Sequence, residues 1–291
     1  MRIIATSDLH HDIARSKGPA EQLAADICSA GGDVLILVGD SACGEPVSMD
    51  RVLSLFEIFR GDKVAVAGNH ELWTYGGACS RHRYENELAD ACSRHGFHYL
   101  DQSPYVRDGL AVVGNVGWYD YSFLPRSMGI PLRFFEHRIA PGAASRCEEL
   151  KHLFTPADDI AQSSYEVTTR WMDGVRVRLG QTDYEFTKRL ADRLAADIES
   201  VQERATHVIA AIHTLPFFEL VPHSILPNLE FATAFLGAER IGKVLLDHPR
   251  VTHAFCGHSH RYRVHSVSGL TCTAIGSTYK EKRYESLDLP E

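Results

Sequence analysis

The sequence has 291 residues, with 38 acidic and 30 basic side chains, and its formal net charge is −8 with all histidines neutral. Apolar residues make up 44% and charged residues 23%, a balance typical of folded proteins and far from that of disordered or fibrous chains. The acidic balance disfavours binding to long duplex nucleic acid, because that affinity comes from Lys and Arg neutralising phosphates. The 16 histidines are an unusually large number that a function has to explain.

The sequence shows no sign of a membrane span or of a disulfide framework. Its apolar runs are far shorter than the roughly 20 residues that cross a bilayer, and Asp8 interrupts the first run before a signal-peptide core can form. The 7 cysteines are scattered without a CxxC pair, which is typical of buried thiols rather than of disulfides or a cysteine zinc site. We therefore expect a cytoplasmic protein.

Short runs of β-branched and apolar residues, each of strand length, recur along the chain. Between the early runs lie helical patterns over Ala20–Ala30, Met49–Phe59 and Tyr84–Arg94. This alternation predicts parallel strands with helical crossovers, whereas only Ser268-Gly269 separates the last two runs, which indicates a tight hairpin. We predict an α/β sandwich with two partly mixed sheets. The predicted strands are Arg2–Thr6, Asp33–Val38, Lys63–Ala67, Leu110–Val113, His207–Ile212, Val251–Cys256, Tyr262–Val267 and Leu270–Ile275.

The stretch from Tyr121 to Gln181 has no clear periodicity and is interrupted by 4 prolines. We predict that residues 121–181 form an irregular or helical insertion, or a lid, within a single domain that spans residues 1–291. This stretch leads into the clearest helical pattern of the chain, in which Thr182 and Glu185 form a capping box. The apolar stripe of this helix, expected to pack in the core, consists of Phe186, Leu190, Leu194, Ile198 and Val201.

Five of the predicted strands run directly into Asp, Asn or His residues. Ligands of open α/β sheets bind beyond the carboxyl ends of the strands, so these five ends are expected to converge. Their carboxylate, carboxamide and imidazole groups suit divalent or trivalent Mn, Fe, Zn or Ni ions. Seven ligands are too many for one tetrahedral ion and match two ions that share a bridging carboxylate. The predicted ligands are Asp8, His10, Asp40, Asn69, His213, His258 and His260.

The spacing of these residues supports a common site. Asp8-Leu9-His10 and His258-Ser259-His260 each place two ligands on the same side of an extended segment. Gly39, Gly68 and Gly257 each precede a predicted ligand, where glycine allows a sharp turn and a close backbone approach. A single histidine after a strand is more often structural than a ligand, but five strand ends that carry such groups together favour a metal site.

The same residues, in the same order, resemble the motifs of the calcineurin-like metallophosphoesterases. The resemblance implies a two-metal phosphoester hydrolase on a four-layer α/β/β/α sandwich. It implies that one ion is held by Asp8, His10, Asp40 and His260, and the other by Asp40, Asn69, His213 and His258, so that Asp40 bridges the two. The matching motifs are Asp8-Leu9-His10, Gly39-Asp40, Gly68-Asn69-His70-Glu71, His213 and Gly257-His258-Ser259-His260.

The resemblance also implies a role for His70, which is the motif histidine that does not bind metal. In the family, this histidine contacts the substrate phosphate as a leaving-group acid or an electrostatic clamp. Glu71 either orients His70 or is a structural residue. Two neighbouring cations lower the pKa of a bridging water so that hydroxide is present near neutral pH, and His70 and Asp40 are therefore the expected catalytic residues, with His70 protonating or stabilising the departing oxygen.

The motifs narrow the class of substrate. Gly39-Asp40 is followed by Ser41-Ala42-Cys43 and lacks the Asp-Arg-Gly of protein serine/threonine phosphatases. Asp8-Leu9-His10 resembles the small bacterial phosphodiesterase-type members, so a small diester is the favoured substrate. A phosphomonoesterase, a nucleotide pyrophosphatase and a metal-binding scaffold without catalysis are the alternatives, and the last is disfavoured because every ligand position and His70 are intact. The sequence does not predict an oligomeric state.

Glu71 and four further residues are candidates for substrate contacts, each with a structural alternative. Asn115 and Trp118 follow the strand Leu110–Val113, where an aromatic ring can stack on a base, although packing beneath the insertion is favoured for Trp118. Arg133 and His137 can reach a distal phosphate from the lid, or lie on a solvated helix face. The aromatic, proline-rich segment Phe217–Phe235 suits an apolar substrate tail, although packing of the lid against the core is favoured.

Overall fold

The computed structural model describes residues 1–43 and 45–290, and in these residues eleven strands form two sheets. The first sheet has the order β11-β1-β2-β3-β4 and the second the order β5-β6-β7-β8-β10-β9. The strands are β1 (Arg2–Thr6), β2 (Val34–Val38), β3 (Asp62–Val66), β4 (Phe97–Tyr99), β5 (Tyr105–Arg107), β6 (Leu110–Asn115), β7 (His207–Ile212), β8 (Val251–Cys256), β9 (Arg263–Val267), β10 (Leu270–Ala274) and β11 (Tyr284–Asp288).

Both sheets are mixed, as predicted. Strands β1 to β4 pair in parallel and β11 runs antiparallel to β1. Strands β6, β7, β8 and β10 are parallel, and β5 and β9 pair antiparallel at the two edges. All five residues of β2 are buried, as expected for a central parallel strand that is covered on both faces.

The core lies on both sides of each sheet because side chains alternate along the strands. Val34 and Ile36 of β2 pack between the sheets, together with Val112 of β6. Leu35 and Leu37 face the opposite way, into the layer that contains the helices. Helices cover the outer face of each sheet, which gives the four-layer α/β/β/α sandwich.

The helices lie between the strands and in the segment that follows β6. The α-helices are α1 (Ala14–Ala30), α2 (Pro46–Ser54), α3 (Ser80–His82), α4 (Leu88–Arg94), α5 (Leu132–Glu136), α6 (Pro141–Ala144), α7 (Asp173–Arg176), α8 (Asp183–Val201), α9 (Pro227–Ala232) and α10 (Glu239–Asp247). A π-helical turn covers Arg83–Glu87, and 3₁₀ turns cover Arg126–Met128, Glu148–Phe154, Gln162–Glu166, Phe218–Leu220 and Thr233–Phe235. Within the described residues, no helix is both long enough and apolar enough to cross a membrane.

The predicted capping box begins α8. The Thr182 hydroxyl accepts a hydrogen bond from the Glu185 amide at 3.2 Å, and the Glu185 carboxylate accepts one from the Thr182 amide at 2.8 Å. The predicted apolar stripe of α8 is buried along its whole length and packs against the second sheet. The predicted hairpin is also confirmed, because Ser268 and Gly269 have φ angles of 51° and 84° between β9 and β10.

Residues 121–181 are built from short helical turns of three to seven residues. Arg138 connects this segment to the core, since its guanidinium donates to the Asp183 carboxylate at the start of α8 and, at 2.8 Å, to the Tyr119 hydroxyl. An isolated antiparallel β-bridge between Ile139 and Arg170 joins the two halves of the segment. The segment is therefore joined to the start of α8 and to Tyr119, and it adds no strand to either sheet.

One buried carboxylate joins the two sheets. Asp101 follows β4, and its Oδ2 accepts the Ala67 amide at 2.8 Å, just beyond β3 of the first sheet. Its Oδ1 accepts the Val116 amide at 2.6 Å, just beyond β6 of the second sheet. Asp101 thereby holds the carboxyl ends of two strands from different sheets close together.

Replacement of Asp101 by alanine leaves these two buried amides without an acceptor, so we expect the free energy of unfolding to fall by about 2–4 kcal/mol. Urea denaturation followed by circular dichroism measures the loss. The matched control is Asp288→Ala, which removes a carboxylate from the exposed pair with Arg2 and is expected to cost far less. Equally small losses in both variants would show that Asp101 does not link the sheets.

Candidate metal centre

All seven predicted ligands lie at the carboxyl edges of the two sheets. Asp8 and His10 follow β1, Asp40 follows β2, and Asn69 follows β3 in the first sheet. The remaining predicted ligands, His213 after β7 and His258 and His260 after β8, belong to the second sheet. The side chains meet where the two edges face each other, as the positions of the strand ends predict.

Five of the predicted ligands have positive φ angles. Non-glycine residues rarely adopt positive φ angles, and each one costs of order 1–3 kcal/mol. Nine non-glycine residues in the described part of the chain have positive φ, and five of them are predicted ligands. These are Asp8, His10, Asp40, His258 and His260, with φ between 43° and 65°. The chain therefore turns sharply at each of these positions and directs the side chains toward a common point.

Two glycines allow the close approach that the sequence indicated. A Cβ atom on Gly68 would lie 2.2 Å from Asp40 Oδ1, and one on Gly257 would lie 2.6 Å from Asp8 Oδ2. Any side chain at these positions would displace a carboxylate of the site. The glycines before the ligands are therefore needed for space.

The side chains form overlapping groups that could hold metal ions, and a group of His10, Asp40 and His70 connects the two groups described next. Asp8, His10 and His260 offer ligand atoms within 4.8 Å of one another, and Asp40, His213 and His258 do the same. Asp40 Oδ2 lies 3.5 Å from His10 Nε2, whereas Asp40 Oδ1 lies 3.4 Å from His213 Nε2. The two oxygens of one carboxylate thus face different clusters, which is the geometry of a bridging ligand.

Asn69 joins the second cluster through its amide oxygen, which lies 3.3 Å from His213 Nε2. The other ring nitrogen of His213 lies 2.9 Å from the Val38 carbonyl, and His258 Nε2 lies 3.1 Å from the Phe235 carbonyl. Such hydrogen bonds fix an imidazole so that its remaining nitrogen faces a metal ion.

The donor set fits divalent cations. Both ring nitrogens of His10 and Nδ1 of His260 are buried without a hydrogen-bond partner, which is rare for buried polar atoms and points to an ion as the partner. The cluster contains carboxylate, amide and imidazole groups and no thiolate, a combination that suits ions of the Mn, Fe, Zn and Ni type. The arrangement indicates a binuclear metal site.

Metal ligation needs deprotonated ligands, and the pKa shifts of Asp40, His10 and His258 agree with it, whereas that of His213 does not. Burial opposes ionisation of Asp40, but the imidazoles of His213, His70 and His10 outweigh it and hold the pKa of Asp40 well below its usual range. Burial lowers the pKa of His10, and it lowers the pKa of His258 to about 4. Burial also opposes protonation of His213, yet the Asp40 charge raises its pKa to about 10. Cation binding by His213 therefore releases a proton.

The Glu71 carboxylate accepts hydrogen bonds from backbone amides of two loops of the site. Its Oε1 accepts the amides of Ser41 and Ala42 at 2.6 and 3.3 Å, and its Oε2 accepts those of Asp40 and Gly68 at 2.9 and 2.8 Å. The buried carboxylate therefore ties the loop after β2 to the loop after β3. This places Glu71 in the structural role, one of the two that the sequence left open, rather than as a group that orients His70.

Four residues suggested for substrate contacts have side chains that are held by other groups of the protein and that do not line the cavity described below. Asn115 is buried and donates to the Leu190 carbonyl at 3.0 Å, and Trp118 is buried and donates to Asp183 at 2.7 Å. Arg133 binds the carboxylate of Asp159 within the segment 121–181. His137 is exposed, and its Nδ1 lies 2.8 Å from the Arg133 carbonyl. The structure thus places these four side chains in packing and local hydrogen bonds.

The structure adds Asp173, a residue that the sequence analysis did not single out. Its fully buried carboxylate accepts hydrogen bonds from Asn69 Nδ2 at 2.9 Å, Trp73 Nε1 at 2.6 Å, Trp171 Nε1 at 2.8 Å and the Tyr119 hydroxyl at 3.1 Å. The bond to Asn69 Nδ2 fixes the amide so that its oxygen faces His213. Asp173 lies in residues 121–181, and this segment is thereby connected to the metal centre.

Two residues near the C-terminus also contact the site. The Tyr279 ring lies 5.0 Å from the ring of His10 and 4.9 Å from that of His260. Lys282 Nζ donates to the Asp8 carbonyl at 2.5 Å, and burial lowers the pKa of Lys282 to about 8. Both residues follow the carboxyl end of β10, so the strand-end reasoning applied to the other strands would have pointed to them.

A cavity of about 800 Å³ opens over the cluster. Part of its wall consists of Asp40, Asn69, His70, His258 and His260. The rest comes from residues 169–172, several residues of the segment 222–236 such as Asn228 and Leu229, and the region around Tyr279. The candidate metal centre is thus open to a ligand of moderate size.

The fold and the site define a two-sheet protein whose His and Asp clusters suggest a binuclear metal centre. The calcineurin-like phosphoesterase family profile matches residues 1–262, and the chain belongs to this family. A comparison with curated proteins finds no match.

Solved structures share the fold at low sequence identity. The phosphopantetheinyl hydrolase from Mycobacterium tuberculosis is 20% identical, with a TM-score of 0.69, and the match covers 96% of this chain and 89% of that chain. A dimetal phosphatase from Danio rerio is 14% identical, with a TM-score of 0.53, and the match covers 94% of this chain and 86% of that chain. TT1561 of Thermus thermophilus is 13% identical, with a TM-score of 0.52, and the match covers 99% of this chain and 98% of that chain.

Substitution of Asp173 by asparagine leaves too few acceptor sites for its four donors, so Asn69 loses its fixed orientation. We expect the affinity for one of two Mn²⁺ ions to fall about 10- to 100-fold, as measured by titration calorimetry on metal-free protein. Asp159→Asn, in the same segment and paired with Arg133, is the control and is expected to bind Mn²⁺ as the wild type does. Wild-type binding by Asp173→Asn would contradict the positioning role.

Proposed function

We propose that this protein is a two-metal-dependent hydrolase of small phosphoesters that prefers phosphodiesters. The observation that carries the proposal is the position of Asp40, whose two carboxylate oxygens face separate histidine clusters at 3.5 and 3.4 Å. Asp8, His10, Asp40 and His260 would hold one ion, and Asp40, Asn69, His213 and His258 the other. Bound divalent cations supply Lewis-acid activation of water and neutralise charge on the phosphoryl oxygens.

The contacts of His70 support a role for this residue in acting on the substrate. Its amide donates to Asp40 Oδ1 at 2.9 Å, and its ring stacks on Trp73 with centroids 3.8 Å apart. The ring also meets His10 edge-on at 4.6 Å and lines the cavity. Held in this way, the imidazole can donate a proton to the departing oxygen or stabilise its charge.

The charge of the cavity favours an anionic substrate. Arg170 and Arg261 line it, and neither guanidinium forms an ion pair with any carboxylate in the described part of the chain. Both are exposed, so they add positive charge at the mouth of the site and attract phosphate esters.

The preference for diesters rests on the resemblance of Asp8-Leu9-His10 to the phosphodiesterase-type members and on the size of the cavity. A volume of about 800 Å³ accommodates a substituent on each side of a phosphate. Phosphomonoesters and nucleotide diphosphates are the alternatives. The similarity of the fold to a phosphopantetheinyl hydrolase is a reason to include a phosphopantetheine diester among the assay substrates.

Protein reconstituted with Mn²⁺, Fe²⁺, Zn²⁺ or Ni²⁺ is expected to hydrolyse bis(p-nitrophenyl) phosphate faster than p-nitrophenyl phosphate. Asp40→Asn removes the shared carboxylate, and we expect kcat/KM to fall at least about 1,000-fold, near the upper end of the effect of a single catalytic group. Release of p-nitrophenolate measures the rates on the two esters and the kcat/KM of Asp40→Asn. No turnover of either ester with any of the four metals would contradict the proposal, and faster turnover of the monoester would replace the diesterase assignment by a phosphomonoesterase.

His70→Ala is expected to lower kcat by about 100- to 1,000-fold, the usual contribution of a general acid, while the protein still binds two metal ions per chain. Metal content by mass spectrometry and kcat on bis(p-nitrophenyl) phosphate are measured on the same sample. His82→Ala, an exposed histidine on α3, is the control and is expected to keep the wild-type kcat. A His70→Ala enzyme with wild-type kcat would exclude His70 from catalysis.

A further inference from the structure

The cavity extends well beyond the groups that face the metal centre. Its inner end is lined by the ligand side chains and His70, and its outer part by residues from two separate segments. Residues 169–172 belong to the segment predicted to be a lid, and residues 222–236 include α9. A phosphoester group alone occupies only the inner end of a volume of about 800 Å³, which is in the range of pockets for drug-sized ligands.

Trp171 connects the inner end to the outer part. Its ring lies edge-on to His258 with centroids 5.8 Å apart and stacks on Phe235 at 5.2 Å. Its indole N–H is held by Asp173 at 2.8 Å. The ring is therefore fixed in place, and it presents an apolar surface directly beside a metal-ligand histidine.

Two large apolar side chains continue this surface outward. Met172 lies next to Trp171 and is 39% exposed, and Leu229 of α9 is 55% exposed. Both line the cavity, from different segments of the chain. An apolar group that covers them is bound favourably because it removes their surface from water.

Hydrogen bonds join the two segments into one wall. Asn228 Oδ1 accepts the Thr168 amide at 2.8 Å, and the Thr169 hydroxyl donates to the Asn228 carbonyl at 2.9 Å. Met172 and Leu229 are thus displayed on parts of the chain that are tied together next to the cavity. An apolar surface built in this way indicates a binding site for a ligand.

We propose that the substrate carries an extended apolar arm on its phosphate, and that Trp171, Met172 and Leu229 bind this arm. The proposal rests on the proposed function, because it names the class of phosphoester that the metal centre hydrolyses. The substrate class is a phosphodiester with an aliphatic arm on the side opposite the leaving group. The arm is the occupant of the outer cavity, since that part is continuous with the site of the scissile phosphate.

The test is a series of p-nitrophenyl alkyl phosphates with methyl, butyl and octyl arms, assayed with the Mn²⁺-loaded protein below the concentration at which they form micelles. Each hydrolysis adds one water, breaks the phosphorus–oxygen bond to p-nitrophenolate and leaves the alkyl phosphate. The leaving group is the same throughout, so differences in kcat/KM report on the arm. We expect kcat/KM to increase at least about tenfold from methyl to octyl.

Leu229→Asp places a charge in the apolar part of the cavity, and we expect it to lower the octyl-to-methyl ratio of kcat/KM about tenfold. The matched control is Ile225→Asp, in the same segment, since Ile225 is 96% exposed and does not line the cavity. This control is expected to keep the wild-type ratio.

The outcomes distinguish failure of the arm site from failure of the hydrolase function. A ratio near one for the wild type, or the same ratio for Leu229→Asp and Ile225→Asp, would overturn the proposal of an arm site while the hydrolase remains. If no member of the series, including the methyl ester, is hydrolysed by the metal-loaded protein, the proposed function itself fails and the arm site fails with it.

Discussion

The buried carboxylate of Asp40 is the group on which the rest of the site depends. It follows β2, the central strand of the first sheet, and its two oxygens face His10 at 3.5 Å and His213 at 3.4 Å, which follow strands of different sheets. An isolated carboxylate at this depth is unfavourable unless cations or hydrogen bonds compensate its charge. Here the surrounding imidazoles and the His70 amide stabilise the charge, and a bound metal ion would do so more strongly. The two sheets therefore meet at a position where negative charge requires cations.

Neighbouring groups hold Asp40 in a conformation that would otherwise be costly. Its φ angle is 53°, a strained value for a non-glycine residue. Glu71 accepts the amides on both sides of the turn, and the Asp8 and His10 amides donate to the Gly39 and Asp40 carbonyls at 3.0 and 2.9 Å. The strain thus persists because several hydrogen bonds determine it together, as is common at functional sites.

The sequence predicts the central strands well and the edge strands poorly, for a physical reason. Buried parallel strands such as β2 need continuous apolar runs, and such runs are visible in the sequence. The three strands that the prediction missed, β4, β5 and β11, lie at the edges of the sheets. β5 and β11 have no fully buried residue and β4 has only three residues, so their pairing depends on neighbours that are distant in sequence. The lack of periodicity in residues 121–181 predicts an irregular segment, but a sequence without periodicity does not predict the contacts of that segment.

The same distinction holds for the site. The seven ligand positions follow from the rule that strand ends converge, and the structure brings them together. Asp173 and Trp171 come from a segment without periodicity, so their positions depend on tertiary packing that the sequence pattern does not encode. Trp118 shows the reverse case. It follows a strand end, as the ligands do, but Asp183 accepts its indole N–H at 2.7 Å and holds the ring in the core.

The most direct test of the central claim is a crystal structure of the protein loaded with Mn²⁺, with anomalous diffraction data that locate the ions. We expect two anomalous peaks, one on each side of the Asp40 carboxylate, and each ion is expected to bind one of the two carboxylate oxygens. One peak is expected among Asp8, His10 and His260, and the other among Asn69, His213 and His258. A single peak, or peaks that do not contact Asp40, would contradict the account.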